Sequence, residues 1–151
     1  MRLTIELVPS TSWGDNLRDG LKIKKGEWER LKRACFERAS HRCEVCGGVG
    51  KKHPVECHEV WDYDDQNKVQ KLVSLVALCP PCHRAKHIGH TLYKLGGWVA
   101  DATLGHLARV NQLTAPQVSE MIFEAFGVYR ERSNHLWSVD TSIVQKWLSE
   151  T

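Results

Sequence analysis

Two C-x2-C pairs constrain the fold of this 151-residue chain more than any other feature of its sequence. The first pair is Cys43 and Cys46, and the second, after thirty-two intervening residues, is Cys79 and Cys82. Each pair places two thiolates on one tight turn, and two such turns can surround a metal ion tetrahedrally. Because all four positions are cysteine, no coordination position stays open for a substrate, so we predict a structural Zn²⁺ site. The alternative is two unrelated cysteine pairs in a core.

The rest of the composition favours metal binding over disulfide formation. No apolar run approaches the length of a membrane span, and Met1 does not lead into a signal-peptide core. We therefore expect a cytoplasmic protein with no membrane partner. That compartment keeps thiols reduced, so six cysteines point to metal. The two cysteines outside the pairs, Cys35 and Cys57, are predicted to pack in the core, with a spare-ligand role as the alternative for Cys57.

Hydrophobic spacing predicts an α+β fold in one compact unit. The first part, residues 1–41, is predicted to begin with a short alternating strand from Leu3 to Val8. An irregular segment follows. The part ends with a basic helix from Glu27 to about His41, where apolar residues recur at helical spacing.

The second part, residues 42–90, contains the cysteines. Two strands are predicted there, Val55–Trp61 and Leu72–Leu78, joined by a polar loop. A short helix then runs from Pro80 through His87, because proline is well tolerated in a first helical turn. We expect strand, strand and helix to form the core around the metal.

The third part, residues 91–151, is predicted to be a helical extension that forms a small bundle. One helix contains Trp98 and Leu107, and a second opens at Thr114, with Gln117 completing a capping box. A third spans Ser142 to Ser149. The tryptophans of this part are predicted to lie in its core rather than to stack on bases: Trp98, Trp137 and Trp147.

Three histidines are predicted to meet beside the cysteine site. His58 lies in the first of the two core strands, and His83 and His87 lie four residues apart on the short helix. That spacing puts both helix imidazoles on one face, able to hold one ion. Three imidazoles suit Zn²⁺, Ni²⁺, Co²⁺ or Mn²⁺ better than Mg²⁺, which prefers oxygen ligands. The remaining histidines are predicted to be ordinary surface or helix-end residues: His41, His53, His90, His106 and His135.

Three segments carry these cysteines and histidines: Cys43-Glu44-Val45-Cys46, Val55-Glu56-Cys57-His58-Glu59-Val60 and Leu78-Cys79-Pro80-Pro81-Cys82-His83-Arg84-Ala85-Lys86-His87. Together they resemble an HNH endonuclease of the ββα-metal class, over about Arg42 to His90. The Cys-His-Glu-Val-Trp sequence from Cys57 is similar to that of small bacterial and phage proteins of this family. The resemblance implies a zinc-stapled ββα core, a second divalent ion, and hydrolysis of phosphodiester bonds in DNA.

The resemblance also implies a role for each site residue. His58 takes the place of the strand ligand of the second ion, and His83 and His87 take the places of its helix ligands. Glu59 stands where the family has its general-base histidine, and Ser74 stands where it has a strand-bracing asparagine. A carboxylate with an ordinary pKa of about 4.3 is a weaker base near pH 7 than imidazole at about 6.5. Because side chains alternate along a strand, Glu59 reaches the His58 side only through a bulge or the strand's end.

These residues lead to the expectation of a metal-dependent DNA endonuclease with four catalytic residues: His58, Glu59, His83 and His87. A local excess of positive charge is expected to supply sequence-independent contacts to the DNA backbone, from Lys22, Lys24, Lys25, Arg30, Lys32, Arg33, Lys51 and Lys52. Lys86 and Arg84 are expected to contact phosphate or to face solvent. The alternative is a catalytically weakened HNH-like zinc module that binds nucleic acid or a protein partner. Glu59 in place of histidine keeps this alternative open.

Overall fold

The computed structural model describes residues 2–18 and 23–151 and has an α+β fold, which confirms the predicted class. Within these residues the chain forms six α-helices and one three-stranded sheet of order β1-β2-β3. In chain order the elements are α1 (Lys25–Arg38), β1 (Glu56–Asp64), β2 (Val69–Leu78), α2 (Pro80–Lys86), α3 (Ile88–His90), α4 (Gly97–Asn111), α5 (Ala115–Arg132), β3 (Ser138–Asp140) and α6 (Ile143–Ser149), with a 3-10 turn at Ser10–Ser12 and a π-helix at Thr91–Leu95.

The antiparallel hairpin of β1 and β2 is longer than the two predicted strands. Most of the predicted loop between Asp62 and Gln70 is paired, and only a short turn remains. The Asp64 carboxylate stabilises that turn by accepting the backbone N–H groups of Gln66 at 3.0 Å and Asn67 at 2.9 Å. Asp64 thus acts as a local turn former, which lets the polar flanks continue as strand.

The register of the hairpin decides which side chains share a face. His58 pairs with Val76 and Glu59 pairs with Leu75, so the ladder is regular at this point. The register shifts only after Val60. His58 and Glu59 therefore project to opposite faces of the sheet, as neighbouring strand residues do.

Each face of the sheet is covered by its own hydrophobic cluster. On one face, α1 and α6 pack Leu31 and Leu148 against Leu72 and Ala77. On the other, residues of α2, α4 and α5 surround the strand end at Leu78. Cys35 is buried in the first cluster, and Cys57 is partly buried and packs against it, so both contribute to the core as predicted.

The predicted strand at Leu3–Val8 is wrong. The segment is extended, but its backbone bonds outside any sheet: the Asn111 side chain bonds Leu3 at both its N–H (2.8 Å) and its carbonyl (2.7 Å), and Glu6 N–H donates to the Lys86 carbonyl at 3.0 Å. Leu3 is fully buried beside the cysteines. The segment is thus anchored to α2 and α4, and the alternation that predicted a strand reflects burial of one side.

The C-terminal part is not only helical. Its strand β3, which sequence analysis did not predict, pairs parallel with β2, with Ser138 opposite Val69. The predicted bundle is also wrong in its last helix, because α6 packs against α1 on the sheet. The three-residue length of β3 explains the omission, since so short a strand shows no period.

Helix ends follow the sequence closely. Gln117 N–H donates to Thr114 Oγ1 at 3.4 Å, and Thr114 N–H donates to Gln117 Oε1 at 2.8 Å, so the predicted capping box is confirmed. The helix α2 ends at Lys86, and His87 is its C-cap residue. Trp98 corrects another expectation, because it is 79% exposed at the start of α4 rather than in a core.

Candidate metal centres

The four cysteines of the two pairs form one cluster. Their sulfur atoms all lie within 4.8 Å of one another. Three of the four, Cys43, Cys79 and Cys82, are buried, and Cys46 is exposed. Four sulfur donors at this separation fit a tetrahedral Zn²⁺ site closed to substrate, so the cluster can hold the predicted structural metal.

Backbone hydrogen bonds within the first turn fix the relative position of Cys43 and Cys46. Cys43 N–H donates to the Gly48 carbonyl at 3.0 Å, and Gly47 N–H donates to the Cys43 carbonyl at 2.9 Å. Gly47 has a φ of 75°, which glycine adopts without strain. The second pair is set by α2, because Cys79 is its N-cap residue and Cys82 lies in its first turn.

The sulfur atoms are close enough to compete for protons. Hydrogen bonds from the thiols of Cys79 and Cys82 hold the pKa of Cys43 far below its ordinary value. The same interaction with Cys43 raises the pKa of Cys79 to about 12 and also raises that of Cys82. A divalent cation removes this competition, since all four sulfurs can then be thiolates.

His106 of α4 lies beside this cluster, although it was predicted to be an ordinary histidine. Its Nε2 lies 3.1 Å from Cys82 Sγ. An imidazole N–H that donates to a ligating sulfur stabilises the thiolate. The sequence contains no signal for this contact, because His106 is 24 residues from Cys82.

The three predicted histidines do meet. One ring nitrogen from each of His58, His83 and His87 lies within 4.8 Å of the others. The ring centroids are separated by 5.3 Å (His58 to His83), 5.0 Å (His58 to His87) and 4.8 Å (His83 to His87). His87 lies one residue beyond α2 but keeps its helical position relative to His83, because His87 N–H donates to the His83 carbonyl at 3.2 Å.

Two carboxylates flank the histidine cluster. Glu56 Oε2 lies 2.5 Å from His83 Nδ1, while its other oxygen lies 2.7 Å from Nε2 of His53. Glu6 Oε2 is hydrogen-bonded to His58 Nε2. The sequence patterns predicted neither carboxylate. Glu56 lies two residues before His58 and so on the same strand face, a signal that could have found it, whereas nothing in the sequence connects Glu6 to the site.

The environment of the cluster favours the neutral form of two of its imidazoles, His58 and His87. Burial lowers the pKa of His58, against the raising effect of Glu6. Burial also lowers the pKa of His87, to about 3, with further lowering from the neighbouring His58 and His83. Neutral imidazole is the form that ligates a metal. The donor set thus fits a transition-metal ion.

The structure does not bring Glu59 to the three histidines. Its Oε1 accepts the backbone N–H of Leu17 at 2.9 Å, on the face of the sheet that α1 covers. The bulge that would have redirected it lies beyond it, after Val60. Ser74 lies in β2 opposite Val60.

Most of the predicted basic residues lie away from the histidines. Those in α1 sit over the opposite face of the sheet, and several have internal partners: Arg30 donates to the Leu148 carbonyl at 2.7 Å, and Lys32 pairs with Glu29 at 2.8 Å. Lys22 lies outside the described residues.

Among the members of that set in the described residues, one basic pair is linked to the histidine site. Lys51 and Lys52 are exposed and directly precede His53, which is linked through Glu56 to His83. Lys86, expected to meet phosphate or solvent, is instead buried, and its Nζ bonds Thr4 Oγ1 at 2.7 Å and Glu6 Oε1 at 3.0 Å.

Comparisons with protein-family models, with curated proteins and with solved structures gave no match. Across residues 2–18 and 23–151, no helix combines the length and the apolar character needed to cross a membrane.

Proposed function

We propose that this chain is a metal-dependent endonuclease of the HNH type that hydrolyses phosphodiester bonds in DNA. The observation that carries the proposal is the meeting of His58, His83 and His87 on one side of a β-hairpin and the helix that follows it. The sequence resemblance of the same segments to the HNH family supports it. The second support is the separate cysteine cluster, whose four sulfurs could hold a structural ion without any of the three histidines.

Within this proposal the three imidazoles hold one divalent ion and the cysteines hold another. An ion at the histidines would supply a Lewis acid for the scissile phosphate and would acidify a bound water. A quarter of the His83 side chain is exposed, whereas His58 is buried. A phosphate therefore approaches from the His83 side, where Lys51 and Lys52 can contact the neighbouring backbone.

Glu59 has no role in the proposed reaction, because its carboxylate binds Leu17 N–H on the other face of the sheet. That position also favours the second candidate function, a catalytically weakened zinc module that binds nucleic acid or a protein partner. The two functions share the fold and the metal ligands. They differ in whether DNA is cut.

Plasmid nicking with purified zinc-loaded protein separates the two functions. Mn²⁺, Co²⁺, Ni²⁺, Zn²⁺ and Mg²⁺ are added one at a time, and we expect nicking with at least one transition metal and little with Mg²⁺ alone. His87→Ala should abolish nicking while far-UV circular dichroism and bound zinc stay unchanged, because the two metals have separate ligands.

The control variant is Glu59→Gln, which should keep its activity since Glu59 lies away from the histidines. If Glu59→Gln is folded but inactive, Glu59 takes part in the reaction after all. A parent chain that is inert with every metal on single- and double-stranded DNA and on RNA would leave the binding module as the function.

A further inference from the structure

We propose that Glu6, in the N-terminal segment, is a positioning residue of the histidine site that fixes the ring of His58 and decides which of its nitrogens meets the ion. The inference rests on the proposed ion site but not on DNA cleavage. It deepens that site by adding a residue 52 positions away from the histidine it contacts.

Glu6 is held in place by more than one bond. Its backbone N–H donates to the Lys86 carbonyl at 3.0 Å, and Lys86 Nζ donates to Glu6 Oε1 at 3.0 Å. Lys86 is 5% exposed and is fixed by a second bond to Thr4 Oγ1 at 2.7 Å. The other carboxylate oxygen, Oε2, is then directed at His58. The carboxylate is thus presented in a single orientation.

The chemistry of this contact determines the tautomer of His58. A carboxylate is an acceptor only, so the ring nitrogen bonded to it must carry the proton. Glu6 Oε1 also pairs with the Lys86 ammonium at 3.0 Å, so the group acts as an ionised, acceptor-only carboxylate in this network. Nε2 of His58 is therefore the donor, and Nδ1 keeps the lone pair for a metal.

His83 has the mirror arrangement. Its Nδ1 is bonded to Glu56, so its Nε2 keeps the lone pair. Two histidines of the site are thus each oriented by a carboxylate, the usual support of a metal-binding imidazole. His58 differs in that it is 3% exposed, so water cannot replace a lost acceptor. Glu6 is for this reason the more consequential of the two carboxylates.

The first test measures ion affinity rather than catalysis. Ni²⁺ is titrated calorimetrically into zinc-loaded parent protein and into Glu6→Gln, which keeps the side-chain size. We expect about 10- to 100-fold weaker Ni²⁺ binding in Glu6→Gln, the range found when such supporting carboxylates are removed. The matched control is Glu131→Gln, which alters an exposed glutamate–histidine pair (Glu131 to His135, 3.4 Å) outside both sites and should leave the affinity unchanged.

The outcomes separate this inference from the proposed function. An unchanged Ni²⁺ affinity in folded Glu6→Gln, even with a lowered melting temperature, would mean that Glu6 is only structural, and the inference fails while the ion site stands. A parent that binds no ion beyond the zinc overturns both.

The second test uses only the parent protein, so it does not depend on whether Glu6→Gln folds. Long-range ¹H–¹⁵N correlation spectra of ¹⁵N-labelled, zinc-loaded parent protein report which nitrogen of each imidazole carries the proton. We expect the Nε2–H tautomer for His58 and the Nδ1–H tautomer for His83. A His58 ring protonated only at Nδ1 would overturn the inference.

Discussion

The two ligand clusters of this protein share α2 but are built differently. The cysteine cluster takes its ligands from two tight turns, each set by the backbone within a few residues. The histidine cluster takes its side chains from β1, from α2 and from the C-cap residue of α2, and the carboxylate of Glu6 beside it comes from the N-terminal segment. A local cluster can be recognised from spacing alone, whereas a cluster assembled from distant segments can be recognised only in part.

The clusters also differ in whether a bound ion would have a coordination position open to a substrate. Four sulfur donors complete a tetrahedron, so the cysteine cluster can stabilise the fold but cannot take a substrate. An ion held by three imidazoles would have coordination positions left for water or phosphate, and His83 is partly exposed. Removing a ligand should therefore damage folding in one cluster and chemistry in the other.

The largest effect is expected at the cysteine cluster. Cys43→Ser should give insoluble or partly unfolded protein, because the binding free energy of a structural zinc site, on the order of 10 kcal/mol, is folding free energy. Far-UV circular dichroism and elemental analysis measure the loss, and the parent should carry about one zinc per chain. The control is Cys57→Ser, a cysteine outside the cluster, for which we expect a loss of only about 1 kcal/mol. A Cys43→Ser protein that melts at the same temperature as the parent would contradict a stabilising role for the cysteine cluster.

The same contrast explains how far the sequence could predict the structure. The C-x2-C spacing and the i, i+4 histidines identified six of the seven candidate ligands that the structure brings together, since these patterns encode local geometry. The seventh, His58, was predicted from its place in the strand and from the family resemblance. The capping box at Thr114 and the core positions of Cys35 and Cys57 were predictable for the same reason. In each case the interacting groups are close in sequence or share a periodic face.

What the sequence could not predict depends on contacts between distant segments. Glu6, Lys86 and His106 gain their roles from neighbours that no periodicity reveals. The segment at Leu3–Val8 alternates like a strand, yet Asn111 and Lys86 bond its backbone instead of a sheet. The family resemblance assigned Glu59 to the reaction, but a regular register keeps it on the opposite face.

A smaller effect is expected from the basic residues, and it distinguishes the two faces of the sheet. Lys51→Glu with Lys52→Glu should weaken binding to duplex DNA about tenfold at low salt and should reduce the slope of log affinity against log salt by about 1 for each lost contact. Fluorescence anisotropy with a short labelled duplex measures both quantities.

The matched control is Lys32→Glu with Arg33→Glu, the same change of charge on α1. These residues lie on the face away from the histidines, so we expect little change in affinity. If the α1 variant weakens DNA binding and the Lys51 and Lys52 variant does not, the DNA would lie on α1, and the histidine site would be far from it.

We propose that the histidines form a second metal site, separate from the cysteines. The most direct test is a crystal of zinc-loaded protein soaked in Ni²⁺, with anomalous data collected above the zinc absorption edge and on both sides of the nickel edge. We predict two peaks: zinc among the sulfurs of Cys43, Cys46, Cys79 and Cys82, and nickel in contact with His58, His83 and His87. Density only at the four sulfurs, with the three imidazoles holding no ion, would contradict the claim.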